Sequence, residues 1–157
     1  MNSRKRRGTL MGNMLGWTGL LVGSILLAGC GGGGDSTPPS VSNAVIVTSP
    51  TTVTYLGGSA TLRATVTDAT GVDSSTVKVT VLVNGTANGA GPVVMTPTAT
   101  AGVYTYTVAL ANNILGTSPV TYSFQITATD LQGHAMLTPA NAGSVTVPVV
   151  PGPPGSP

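Results

Sequence analysis

Apolar and polar side chains alternate one by one along residues 60–66, with Ala60, Leu62, Ala64 and Val66 set against Thr61, Arg63 and Thr65. The same two-residue period returns in Val77, Val79, Val81 and Val83, in Tyr104, Tyr106, Val108 and Leu110, and in Val120, Tyr122, Phe124, Ile126 and Ala128. This period is that of a half-buried β-strand, and no helical period competes with it. The pattern predicts strands over 59–67, 76–83, 103–110 and 119–129. Shorter strands are predicted over 45–48 with 53–55, over 93–96 and over 145–149. Turn chemistry separates them at Gly57-Gly58, 68–71, Asn84-Gly85, 88–91, Asn112-Asn113 and 131–133. Seven to eight strands, each with one apolar face, predict an all-β fold, a two-sheet antiparallel sandwich over residues 44–149. Threonine-rich outer faces favour extended backbone and keep a sheet with little charge in water.

The rest of the chain differs in composition. Arg4, Lys5, Arg6 and Arg7 precede an apolar run that is densest over residues 20–28 and ends in Leu27-Ala28-Gly29-Cys30. A basic start, a short apolar core and small residues before a cut site make a secretory signal peptide, expected as a helix over 1–29. Residues 30–43 read as a Gly/Ser/Pro-rich tether. Ten flexible residues of such a tether span roughly 17–19 Å. Residues 150–157 read as a Pro/Gly-rich tail without packing.

Leu27-Ala28-Gly29-Cys30 resembles the lipobox of bacterial lipoproteins. The resemblance implies a diacylglyceryl group on the Cys30 thiol, cleavage after Gly29 and an acyl chain on the new amine. Leu27, Ala28 and Gly29 would then be the signal-peptidase recognition residues. One acyl chain binds a membrane marginally, whereas two or three on one residue hold it firmly. Gly31 stands where an Asp would favour inner-membrane retention, so the outer membrane of the cell envelope is the expected location. The alternative is a single-pass membrane protein with an uncleaved helix over 10–28, a length at the lower end of a span.

Charge is scarce, at 6% of residues, and the chain contains no Glu. Four of its six basic residues precede the expected cut. Residues 30–157 keep Arg63 and Lys78 against Asp35, Asp68, Asp73 and Asp130, two minus four, for a net charge of −2. No basic stripe remains for phosphates, so no nucleic-acid partner is expected. A single Cys excludes a disulfide scaffold. With that Cys lipidated, one His and no Glu leave little for acid–base catalysis, so no enzyme is expected and no cofactor beyond the covalent lipid.

A second resemblance spans about 100 residues. The segment 68–72, the 77–83 strand with Asn84-Gly85, and the segment 122–133 are similar to bacterial immunoglobulin-like domains. Fibronectin-III-like and cadherin-like sandwiches share the pattern. The resemblance implies that Tyr122 forms a tyrosine corner and that Phe124 stands where antibody domains carry a Cys. It also implies that the loops after 59–67 and after 119–129 share one pole, gathering Asp68, Asp73 and Asp130. Those three are the candidate calcium ligands. Calcium takes six to eight oxygens, and local Asp-x-x-Gly turns account for Asp68 and Asp130, so no metal is expected.

Asn84-Gly85-Thr86 matches a glycosylation sequon, but an Asn-Gly hairpin turn explains it better. The function these features suggest is a membrane-anchored envelope lipoprotein whose immunoglobulin-like domain binds or adheres to an envelope protein or glycan. The alternative is a structural spacer of an envelope assembly without its own ligand.

Overall fold

A computed structural model of the chain describes residues 35–152. The expected signal helix, the Leu27–Cys30 motif, the tether up to Gly34 and the last five residues lie outside the described residues. Among the described residues every regular element is a strand: β1 (Ser40–Thr54), β2 (Gly57–Thr67), β3 (Lys78–Val83), β4 (Thr86–Ala87), β5 (Val93–Val94), β6 (Thr96–Pro97), β7 (Val103–Leu110), β8 (Val120–Thr127) and β9 (Ala140–Val147). They form two sheets, in the orders β1-β2-β7-β6 and β4-β3-β8-β9, with β5 also on β3. All pairings are antiparallel. This is the strand order of an immunoglobulin-type sandwich.

The alternation read from the sequence is the burial pattern. Ala60, Leu62, Ala64 and Val66 of β2 point inward and are fully buried, as are Val79 of β3 and Phe124 and Ile126 of β8. Phe124 is the largest fully buried side chain, and these residues share one core cluster with Leu110 of β7 and Val147 of β9. The outward positions carry threonines in register across strands. Thr61 and Thr107 stand opposite each other and their hydroxyls hydrogen-bond at 2.8 Å. Thr121 and Thr146 do the same on the other sheet at 3.1 Å. Cross-strand pairs of this kind are the unit of sheet stability where no core is available.

The differences from the sequence reading have local causes. β1 begins at Ser40, four residues before the expected domain boundary. Its register slips between Ser42 and Val45, and Asn43 takes φ 49°. The slip is a bulge, and it reverses which face the side chains point to. Val41 and Ile46, five residues apart, therefore both pack on the core, while Val45 and Val47 face solvent.

The strand expected over 93–96 is two strands. Val93–Val94 pairs with β3 and Thr96–Pro97 with β7, so the chain changes sheets at Met95, which is 1% exposed inside the core. The final strand starts at Ala140, not at 145. Its first half is Ala, Asn, Ala, Gly and Ser, with Gly143 at φ 103°, and it offers little apolar signal. Gly57-Gly58 is not the turn itself. Tyr55-Leu56 turns the chain and the glycines open β2, where a Cβ on Gly57 would overlap the Leu110 carbonyl.

Truncating Phe124 removes the centre of this core. We expect Phe124→Ala to lower unfolding free energy by about 3–5 kcal/mol. Val47→Ala, on a solvent-facing position, should change it by less than about 0.5 kcal/mol. Urea titrations followed by circular dichroism check both, and equal losses would contradict the assignment of faces.

Candidate functional site

The strands run so that the sandwich has two unlike poles. At one pole β1 and β7 begin, β2 and β8 end, and residues 68–77 and 128–139 form the loops. These two loops are stitched together. Val72 bridges Asp130, Leu131 N donates to Gly71 O at 3.1 Å, and Asp73 N donates to Thr129 O at 3.0 Å. Thr76 adds a side-chain tie, its hydroxyl donating to Asp73 O at 2.7 Å and accepting from Thr129 N at 2.9 Å.

Asp68, Asp73 and Asp130 therefore sit at the same pole, yet each carboxylate serves its own turn. Asp68 Oδ1 accepts from Thr70 N (2.8 Å) and Thr70 Oγ1 (2.6 Å). Asp73 Oδ1 accepts from Ser75 N (3.0 Å) and Ser75 Oγ (2.7 Å). Asp130 Oδ1 accepts from Gln132 N (2.8 Å) and His134 N (2.7 Å). These are Asx-type turns, in which a short acid replaces a backbone acceptor. Among the described residues no three His, Cys, Asp or Glu side chains converge as metal ligands.

His134, the sole His of the chain, follows the turn that ends in Gly133. Its Nδ1 lies 2.6 Å from Asp130 Oδ2, and its side chain is only 38% exposed over a fully buried carboxylate. The signal was the Asp-x-x-x-His spacing inside one turn, which brings the ring back over the acid that caps it. Burial acts to raise the Asp130 pKa. The His134 ring, the His134 and Gln132 backbone N–H groups and the imidazole charge act the other way and prevail, so the carboxyl titrates below its ordinary value. Asp35 lies within Coulombic reach of this pair and is itself held low by the hydroxyl and N–H of Thr37. Beside the pair, Tyr104 lines a shallow cleft of about 310 Å³ with Val66, Asp68, Gly71 and Val72. Burial, with Asp73 adding, pushes the Tyr104 hydroxyl up.

The other pole has a different chemistry. Tyr122 Oη accepts from Ala111 N at 3.0 Å, tying β8 to the connection that precedes it, as a tyrosine corner does. Asn113, read from the sequence only as part of a turn, is 6% exposed and organises the pole. Its backbone N–H donates to Tyr55 O at 2.7 Å, and its side-chain amide donates to Ser118 O at 2.9 Å and Pro148 O at 3.2 Å. One buried amide thus joins three chain segments. These bonds set Leu56, Ile114 and Val150 close along the chain to the same hub. Leu56 is 63% exposed and Leu115 95%, with Ile114 and Val150 about half exposed. The segments at this pole, 54–58, 84–87, 111–119 and 148–152, contain no charged residue. All four described aspartates and His134 lie at or beside the opposite pole.

No protein-family model, curated protein or solved structure matches the chain. The site is therefore read from its own residues.

The depressed Asp130 pKa fixes a pH dependence. A carboxylate with a lower pKa folded than unfolded stabilises the fold above its unfolded value and loses that contribution as pH falls through the folded one. We expect stability to decline from about pH 4 downward. In Asp130→Asn the decline should be shallower, from a lower starting stability at neutral pH. Thermal melts across pH 2–7 test this, and parallel curves for both proteins would show that Asp130 does not carry the effect.

Proposed function

We propose that the chain is a lipid-anchored protein of a bacterial cell envelope whose immunoglobulin-like sandwich is a binding or adhesion module. The anchor is read from Leu27-Ala28-Gly29-Cys30 behind a basic and apolar leader, and it would carry its lipid on Cys30. What supports binding is the uncharged pole opposite the start of β1, where Leu56, Ile114, Leu115 and Val150 stay exposed around the Asn113 hub. Exposed apolar groups clustered on rigidly tied loops are what a protein partner, or the apolar face of a glycan, would engage. Outer-membrane residence follows from Gly31 in the position after Cys30.

One observation favours the spacer reading. β1 begins at one pole and β9 ends at the other, so the sandwich passes the chain from end to end and adds its own length between them. A spacer needs this geometry but not the exposed leucines.

Intact mass of detergent-extracted protein from a bacterial host should equal residues 30–157 plus acyl groups, and Cys30→Ser should lose them. An unmodified full-length mass would replace the lipid anchor with a single-pass helix. In the same cells, a photo-crosslinking residue at Leu115 should give one discrete adduct, and one at Thr61 should give none. A spacer without a ligand would leave both positions free of adducts.

A further inference from the structure

Two Asn-Gly pairs lie four residues apart after β3, Asn84-Gly85 in the turn at the uncharged pole and Asn88-Gly89 beyond β4 at the level of Val81, and the structure holds them differently. The geometry points to Asn88 as a site of spontaneous covalent modification, deamidation through a cyclic imide, from which Asn84 is protected.

The chemistry requires the backbone nitrogen of the following residue to attack the asparagine side-chain carbon. The N–Cγ bond forms, the Cγ–Nδ2 bond breaks, and ammonia leaves with the proton given up by the backbone nitrogen. Water then opens the five-membered imide at either carbonyl, giving aspartate or isoaspartate. The co-reactant is water alone, and no electrons are transferred. Glycine in the following position removes the Cβ that would hinder the attack.

Asn84 is pinned on both sides. Its backbone takes φ 50° and Gly85 φ 80°, the left-handed pair of a tight hairpin turn. Its Oδ1 accepts from Thr121 N at 2.8 Å while its own N–H donates to Thr121 O at 2.8 Å. The side-chain carbonyl is thereby aimed at β8, and ring closure would have to break that bond. Asn88 has no such tie. Its backbone N–H donates to Val81 O at 2.9 Å, but among the described residues its side-chain amide makes no hydrogen bond. The Gly89 N–H, which is the nucleophile once deprotonated, has no acceptor among them either. Residues 84–92 are all exposed, and a Cβ added at Gly89 would meet nothing within 4 Å. Ala90 N donates to the Asn88 carbonyl across Gly89, so closure opens that one local contact, and glycines at 89 and 91 allow the backbone to rotate as it does.

The product matters because of its position. A carboxylate at 88 would be the first charge in the segment 84–92, which otherwise carries none. The inference does not depend on the lipid anchor or on any ligand.

The test uses full-length protein in detergent, incubated at mildly alkaline pH, with peptide mapping that separates Asn84 from Asn88 and isoaspartate from aspartate. In the folded protein Asn88 should convert about fivefold or more faster than Asn84, the factor one typical net hydrogen bond imposes on a rate. In urea, where the Thr121 tie is gone, the two rates should converge. Equal rates in the folded protein would overturn the proposal. So would an Asn88 that stays intact when folded over a period in which the unfolded chain converts.

Discussion

The apolar slab between the two sheets is what every other feature rests on. Phe124 and Ile126 from one sheet and Leu62 and Val66 from the other are fully buried in one cluster, and a chain with one Cys has no internal disulfide to reinforce them. A sandwich without that covalent tie depends on its inward positions for stability. The strict alternation of β2, β3 and β8 reflects that demand. It also explains the outer faces. With so few charges in the chain, threonine supplies the polar surface, and its hydroxyls pair across strands at Thr61–Thr107 and Thr121–Thr146.

Burial fixes the middle of a sandwich but not its ends, where the chain turns and backbone groups lose ladder partners. This protein closes its ends with two kinds of polar group. At one pole aspartates cap their own turns and backbone bonds join the 68–77 and 128–139 loops. At the other, the Asn113 amide and the Tyr122 hydroxyl do the work without charge. The division has an electrostatic result. Described acids gather where β1 begins, and the far pole is left neutral and partly apolar, which is why the proposed binding role falls there and not on the cleft beside Tyr104.

Much of the fold was legible because its core strands obey one local rule. The 103–110 strand matches β7 in its limits, and the 59–67 and 119–129 strands match β2 and β8 within two residues at each end. The failures are places where the rule is broken by geometry beyond one strand. The bulge at Asn43 hid the start of β1, and the change of sheet at Met95 divided a strand that looked continuous. In Ala140–Ser144 only Ala142 is buried, and Gly143 lies against β1, the Ile46 Cδ1 standing 3.2 Å from where a Cβ on it would be. No single-strand pattern contains that neighbour. The candidate sites follow the same logic. The resemblance to immunoglobulin-like sandwiches already implied one pole for the three aspartates. The His134–Asp130 contact and the Asn113 hub needed the turns to be folded first.

Identical dipeptides make the point most directly. Asn84-Gly85 and Asn88-Gly89 have the same local propensity, and both were read as turns. Only the first is a hairpin turn locked to another strand, because residue 84 follows β3 at the level where β8 begins and Thr121 offers both a donor and an acceptor. Residue 88 lies beyond β4, where β3 has only two-residue partners on that edge and β8 is out of reach. The position of a residue relative to the sheet's width, rather than its sequence neighbours, decides whether its side chain is a structural tie or a free reactive amide. The same criterion separates Asn113, buried under three segments, from Asn112 beside it, which is exposed.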